Sequence, residues 1–183
     1  MKTLILILIC TVLVAEEKPA FAGIALEQDT WQMAQVKLKK AGFVTGMDEG
    51  CLLGKGWLVE HSATVVCLLE DNAVIKVHLG INLSEAERIN FEAAYRFYNS
   101  IRDTLVDKYG KPSLEDKVFV PPYEEGDGRK MFALREKKGM VVAFWDSDKI
   151  VLRLHHDEVT VGYESETFDR AKALERAADK AKF

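Results

Sequence analysis

Apolar positions along this chain follow two periods in turn. Trp31, Ala34, Leu38 and Ala41 recur at helical spacing, with Asp29 placed as an N-cap and Gly42 as a left-handed stop. This predicts a helix over 29–41, with Phe43 folding back onto Leu38 across its end. The period then shortens to two. Residues 56–60, 64–69 and 74–79 read as strands, parted by His61-Ser62 and by Asp71-Asn72. Pairing across the second turn sets Leu68 opposite Ile75 and Val66 opposite Val77, with Trp57 and Val59 on the same apolar face. Lys76 and His78 alternate to the other face. So apolar a face needs a helix to cover it.

That helix is expected over 85–109. Ser84 and Glu87 form a capping box, and Gly110 and Pro112 end the segment. Phe91, Ala94, Tyr98, Ile101 and Leu105 make one sustained stripe, widened by Tyr95 and Phe97. Tyr95, Phe97 and Tyr98 are the candidate wall of a ligand pocket or interface. Beyond Pro112 the pattern weakens, with an edge strand at 118–120 and then an exposed Pro- and Gly-containing loop. Strands resume at 130–135, 140–145, 150–154 and 159–163, an antiparallel meander by their spacing. A last helix over 167–182 has Phe168 and Leu174 as its only large anchors. The fold class is α+β: two helix-plus-antiparallel-meander halves, a long central helix packed on sheet, and a C-terminal helix. A pseudo-repeat falls at 23–83 and 84–163, inside a single domain over 23–183.

The first 22 residues carry a different grammar. Lys2 precedes an apolar run and then Ala20-Phe21-Ala22, which reads as a signal peptide, residues 1–22, cut after Ala22. A run that short does not span ~30 Å of hydrocarbon, so no stable membrane insertion is expected after cleavage. The expected compartment is periplasmic or secreted. A net charge of −4 over 183 residues gives no electrostatic reason to bind nucleic acid.

Export changes the reading of the cysteines. With Cys10 in the leader, Cys51 and Cys67 form an even pair, and an oxidising compartment favours a disulfide between them. The alternative is one buried and one half-exposed free thiol. For chemistry, His155-His156-Asp157-Glu158 combines imidazoles and carboxylates suited to a first-row metal, with His78 as a distant partner. Adjacent histidines on a strand point to opposite faces, however, so a polar hairpin tip is the plainer reading. No Gly-x-Ser-x-Gly, Ser-x-x-Lys or phosphate-binding glycine loop is present, and no cofactor is expected.

The segment Leu105-Val106-Asp107-Lys108-Tyr109-Gly110-Lys111-Pro112 ends an aromatic-rich helix and precedes a strand with Trp145 and the run Ile150-Val151-Leu152. In this it resembles small bacterial exported proteins, and the tandem helix-plus-meander order is similar to beta-lactamase-inhibitor-like domains. The resemblance covers roughly residues 84–163 and carries no catalytic or inhibitory residue over. It implies a non-catalytic binding role by analogy. The expectation is an exported module that binds a protein, inhibitor-like, on the sheet face bearing Leu58, Val65, Cys67 and Leu69, or on the strand tips. A small-ligand carrier and a metal-dependent hydrolase are the alternatives.

Overall fold

The computed structural model describes residues 19–180, Asp148 excepted. The leader's basic start and apolar run, in residues 1–18, lie outside the described residues, as do residues 181–183 beyond the last helix. The helices are α1 (Trp31–Lys40), α2 (Glu85–Ile89), α3 (Phe91–Tyr109), α4 (Asp127–Arg135) and α5 (Glu166–Lys180). The strands are β1 (Val44–Asp48), β2 (Cys51–Leu58), β3 (His61–Glu70), β4 (Ala73–Asn82), β5 (Leu114–Phe119), β6 (Gly139–Trp145), β7 (Ile150–Leu154) and β8 (Glu158–Glu164). All eight form one antiparallel sheet in the order β1-β2-β3-β4-β8-β7-β6-β5. The α+β class and the two helix-plus-meander halves are therefore present, joined side by side through β4 and β8. Among the described residues no helix is long and apolar enough to cross a membrane.

Local chemistry accounts for the elements. α1 starts one residue later than expected: Thr30 accepts the Met33 N–H, while Asp29 is buried and binds Ala25 N–H and the Lys37 ammonium. The helix ends as its sequence indicates. Gly42 takes φ +88°, its N–H reaches Lys39 O, and Phe43 N–H reaches Leu38 O at 3.0 Å. The Ser84–Glu87 capping box forms, but the long helix is two: Asn90 is extended at φ −125° and caps α3 by accepting Ala93 N–H. Asp71 and Asn72 both take positive φ, the hairpin turn expected of that pair.

Two expectations are corrected and one strand is added. β1 falls in a stretch to which the pattern assigns no element, since Val44-Thr45-Gly46-Met47-Asp48 has a glycine and an acid where alternation is sought. Residues 130–135 are not a strand but part of α4, where Met131 and Leu134 are buried three apart. Met131 and Ala133 also alternate, so six residues could not decide the period. The edge strand near 118–120 is β5, beginning earlier at Leu114.

The register is also one residue off the expected one. Val66 pairs with His78, Cys67 with Val77 and Leu68 with Lys76. A one-residue slip exchanges the faces of a strand. Ala63, Val65, Cys67, Val77, Leu79 and Ile81 thus point into the core, and Trp57 and Val59 are exposed. α1 lies on the core face, with Leu38 against Gly54. α3 lies there too, through Tyr109 near Tyr163 and Phe91 edge-on to Phe119. α4 closes the same face, where Phe119 and Ala133 occupy the space a Cβ on Gly139 would need. Residues 19–24 cap this core: Ala20 and Ile24 are buried, Tyr109 OH donates to Pro19 O at 2.6 Å, and Phe21 meets Phe43 edge-on.

Candidate functional site

The sheet face opposite α1, α3 and α4 is the surface the fold leaves open. Register places its residues in rows that cross the whole sheet. One row runs Gly46, Leu53, Val66, His78, Gly162, Val151, Phe144, Leu114, and His78 is its one titratable member. At ~4.8 Å per strand this stripe is on the order of 30 Å long. The next row is mostly polar: Val44, Lys55, Thr64, Gly80, Thr160, Arg153, Val142, Asp116. Val44, at 80% exposed, and Leu114 stand at the two sheet edges. Among the described residues, α5 enters this face only at one end, where the Lys76 ammonium sits 4.2 Å from the Phe168 ring and binds Glu164 at 2.7 Å.

Three of the five residues singled out for metal chemistry gather here. His78 is half-buried at the centre; burial, then the charge of Lys76, lowers its pKa below the ordinary imidazole value. His155 accepts or shares a hydrogen bond with Thr160 Oγ1 at 3.1 Å, and burial likewise lowers its pKa. Glu158 lies flat over Gly80: a Cβ there would come within 2.6 Å of Glu158 Oε2. Burial, then the charge of Asp157, pushes the Glu158 carboxyl up. His156 and Asp157 are elsewhere, at the β7–β8 turn closed by His155 N–H to Glu158 O, and Asp157 O accepts Leu83 N–H. Among the described residues no group of three or more His, Cys, Asp or Glu is arranged to hold a metal ion.

The cysteine pairing is corrected. Cys51 is opposite Leu68 and Cys67 opposite Leu52, so the two side chains leave the sheet on opposite faces. Both are free thiols, Cys51 half-buried and Cys67 buried. Burial, then the neighbouring Cys51, pushes the Cys67 thiol to about 12. The expected binding face is corrected with them: Val65 and Cys67 are fully buried core residues.

The aromatic residues of α3 divide. Tyr98 is buried and Tyr95 half-buried, their rings stacked 5.9 Å apart beside a cleft of about 220 Å³ that Arg102, Glu115 and Lys117 also line. Phe97 points elsewhere and stacks on His61 at 4.0 Å. His61 Nε2 bonds Glu87 Oε2 at 2.9 Å, while its Nδ1 is buried without a partner. This imidazole forms the back of a second cleft, about 310 Å³, between the β2–β3 hairpin end and the β4–α2 link. Trp57, 68% exposed, stands at its mouth. The alternation places Trp57 in the core with Val66; it does share the face of Ser62 and Val66, but the one-residue shift between β3 and β4 turns that face away from the helices. No protein-family model, no curated protein and no solved structure matches the chain.

Proposed function

We propose that this chain is an exported, non-catalytic binding module whose sheet face opposite α1, α3 and α4 docks another protein. The observation that carries the reading is the row from Leu53 to Leu114, an apolar stripe crossing the strands with three helices on the other side. Apolar side chains gathered on a sheet face that these three helices leave uncovered mark an interaction surface, and His78 and Gly162 interrupt the row at its centre. The adjoining polar row, with Lys55, Thr64 and Arg153, supplies the hydrogen-bonding rim that such interfaces have. Export rests on Lys2, the apolar run after it and Ala20-Phe21-Ala22. The likeness in element order to beta-lactamase-inhibitor-like domains supports an inhibitor-like role by analogy alone. A small-ligand carrier under α3 has weaker support, since four charged side chains, Arg102, Glu115, Asp116 and Lys117, share the lining of its cleft with Tyr95, Tyr98, Val141 and Val142.

A photo-crosslinking residue placed at Val66 or Val151, compared with one at Arg96 or Asp103 on the helix side, tests the docking face in the native envelope. One adduct of defined mass from the sheet positions alone is the expected result. Adducts from the helix positions alone, or none from either set, refute the reading.

A further inference from the structure

We propose that the cleft beside Trp57 is a binding site for a neutral saccharide. Burying an aromatic side chain removes ~150–250 Å² from water, yet the Trp57 indole stays 68% exposed at the end of β2. Its cross-strand neighbour is the small Ser62, so one ring face is left free beside polar groups. An apolar plane bordered by hydrogen-bonding groups suits a pyranose ring. The C–H face of the sugar lies on the indole, and its hydroxyls reach the border.

The border has the matching chemistry. A sugar hydroxyl both donates and accepts, and the cleft offers both functions. Asn82 Nδ2 donates to Ser62 Oγ at 2.9 Å. That leaves the second amide N–H, the Oδ1 lone pairs and the Ser62 hydroxyl hydrogen for a ligand. Arg88 spends its Nε on Leu83 O at 3.0 Å, so the rest of its guanidinium fork is free to donate. Glu60, exposed at the hairpin end, accepts.

Charge narrows the class. Glu60 and Arg88 are the formal charges lining the cleft beside His61, and they balance. A phosphate would meet the carboxylate and an ammonium would meet the guanidinium, whereas a neutral polyol meets neither penalty. The volume of about 310 Å³ lies at the small end of the ~300–1,000 Å³ typical of ligand sites, which fits one or two sugar rings.

The walls are held before any ligand arrives. His61 is fixed by Phe97 on its ring and Glu87 on Nε2, Glu87 by the Ser84 cap, and buried Leu83 by its N–H to Asp157 O. A site set in this way loses little freedom on binding. It lies at a corner of the sheet, apart from the Leu53–Leu114 row, so the two surfaces are tested separately.

The test is titration of the purified chain with maltotriose, cellotriose and tri-N-acetylchitotriose, followed by tryptophan fluorescence and by the amide resonances of Ser62 and Asn82. Trp145 is buried and serves as the internal reference. At least one trisaccharide should give a saturable response. Trp57→Ala and Asn82→Ala should each weaken it about ten-fold or more, and Trp57→Phe should keep most of it. Because Trp57 is exposed, Trp57→Ala should retain the parent's thermal midpoint. No saturable response to any of the three sugars overturns the proposal. So does undiminished binding by Trp57→Ala, or a response to inorganic phosphate without one to the sugars.

Discussion

β3 and β4 show two faces made of nearly the same residue types with opposite fates. On one side Val65, Cys67, Val77 and Leu79 are buried under helices; on the other Val66, Leu68 and His78 keep partial access to water. Hydrophobicity alone does not separate Val65 from Val66. The separation comes from where α1 and α3 land and from the β3–β4 register, which pairs Val65 with Leu79 and Val66 with His78. An apolar residue on this sheet is therefore core or interface by parity, and substitutions one position apart should behave differently.

The sharpest contrast is Leu152 against Val151. Leu152 is fully buried opposite Val161, so Leu152→Ala should cost about 2–5 kcal/mol in urea unfolding. Val151→Ala, on the open face, should cost under about 1 kcal/mol. Equal costs would mean that the register is slipped.

A smaller effect tests the rim of the buried face. A chain starting at Gly23 lacks Pro19 O and Ala20, and should be about 1–3 kcal/mol less stable than one starting at Pro19. Tyr109→Phe should reproduce about 1 kcal/mol of that loss. Matching denaturation midpoints for the two chains would show that residues 19–22 contribute nothing to the fold.

Reactivity distinguishes the faces without unfolding them. Near pH 8 a small alkylating reagent should label Cys51 and spare Cys67, whose thiol is buried and whose pKa is raised to about 12. Peptide mapping without reductant should show no bridge. A Cys51–Cys67 disulfide in native protein would overturn the opposite-face assignment.

The smallest effect is in pH. The folded His78 has a lower pKa than the unfolded chain, where an imidazole titrates near ~6.5, so protonation favours unfolding. Its contribution is whole above that value and is lost as pH falls from there toward the folded pKa. The thermal midpoint of the parent should drop more between pH 7 and pH 5 than that of His78→Gln. A parallel drop in both would assign the acid sensitivity to other groups.

Elements carried by local chemistry were legible in the sequence. The Gly42 stop, the Ser84 cap, the Asp71-Asn72 turn and the three last strands depend on neighbours in the chain. Their boundaries followed to within a residue or two. What was not legible depended on distant partners or on strain. Val59 takes φ +56°, a conformation that β-branched residues avoid, so no turn rule would place the β2–β3 turn there. That turn gives Trp57 its partner Ser62, while the one-residue shift between β3 and β4 decides its face, so the cleft it borders rests on two registers that neighbours in the chain do not fix. Alternation from Lys76 to His78 did put His78 off the core, but its meeting with His155 and Glu158 needed the β4–β8 pairing. The Cys51–Cys67 expectation failed on the same ground, since parity across β2 and β3 is a tertiary fact.

That β4–β8 pairing also sets the order of assembly. Among the described residues, every other ladder joins strands that follow one another in the chain, so each half can form from local encounters. Asn82 must instead find Glu158 after α2 to β7 have been made or are still loose between them. Closing so long a loop costs entropy before any contact repays it. The seam should therefore zip late in folding and open early in partial unfolding, with the two hairpin stacks persisting as separate cooperative units. A mechanical or denaturant stress too weak to melt either stack would part them along β4 and β8, exposing the two strand edges that are now the middle of the sheet.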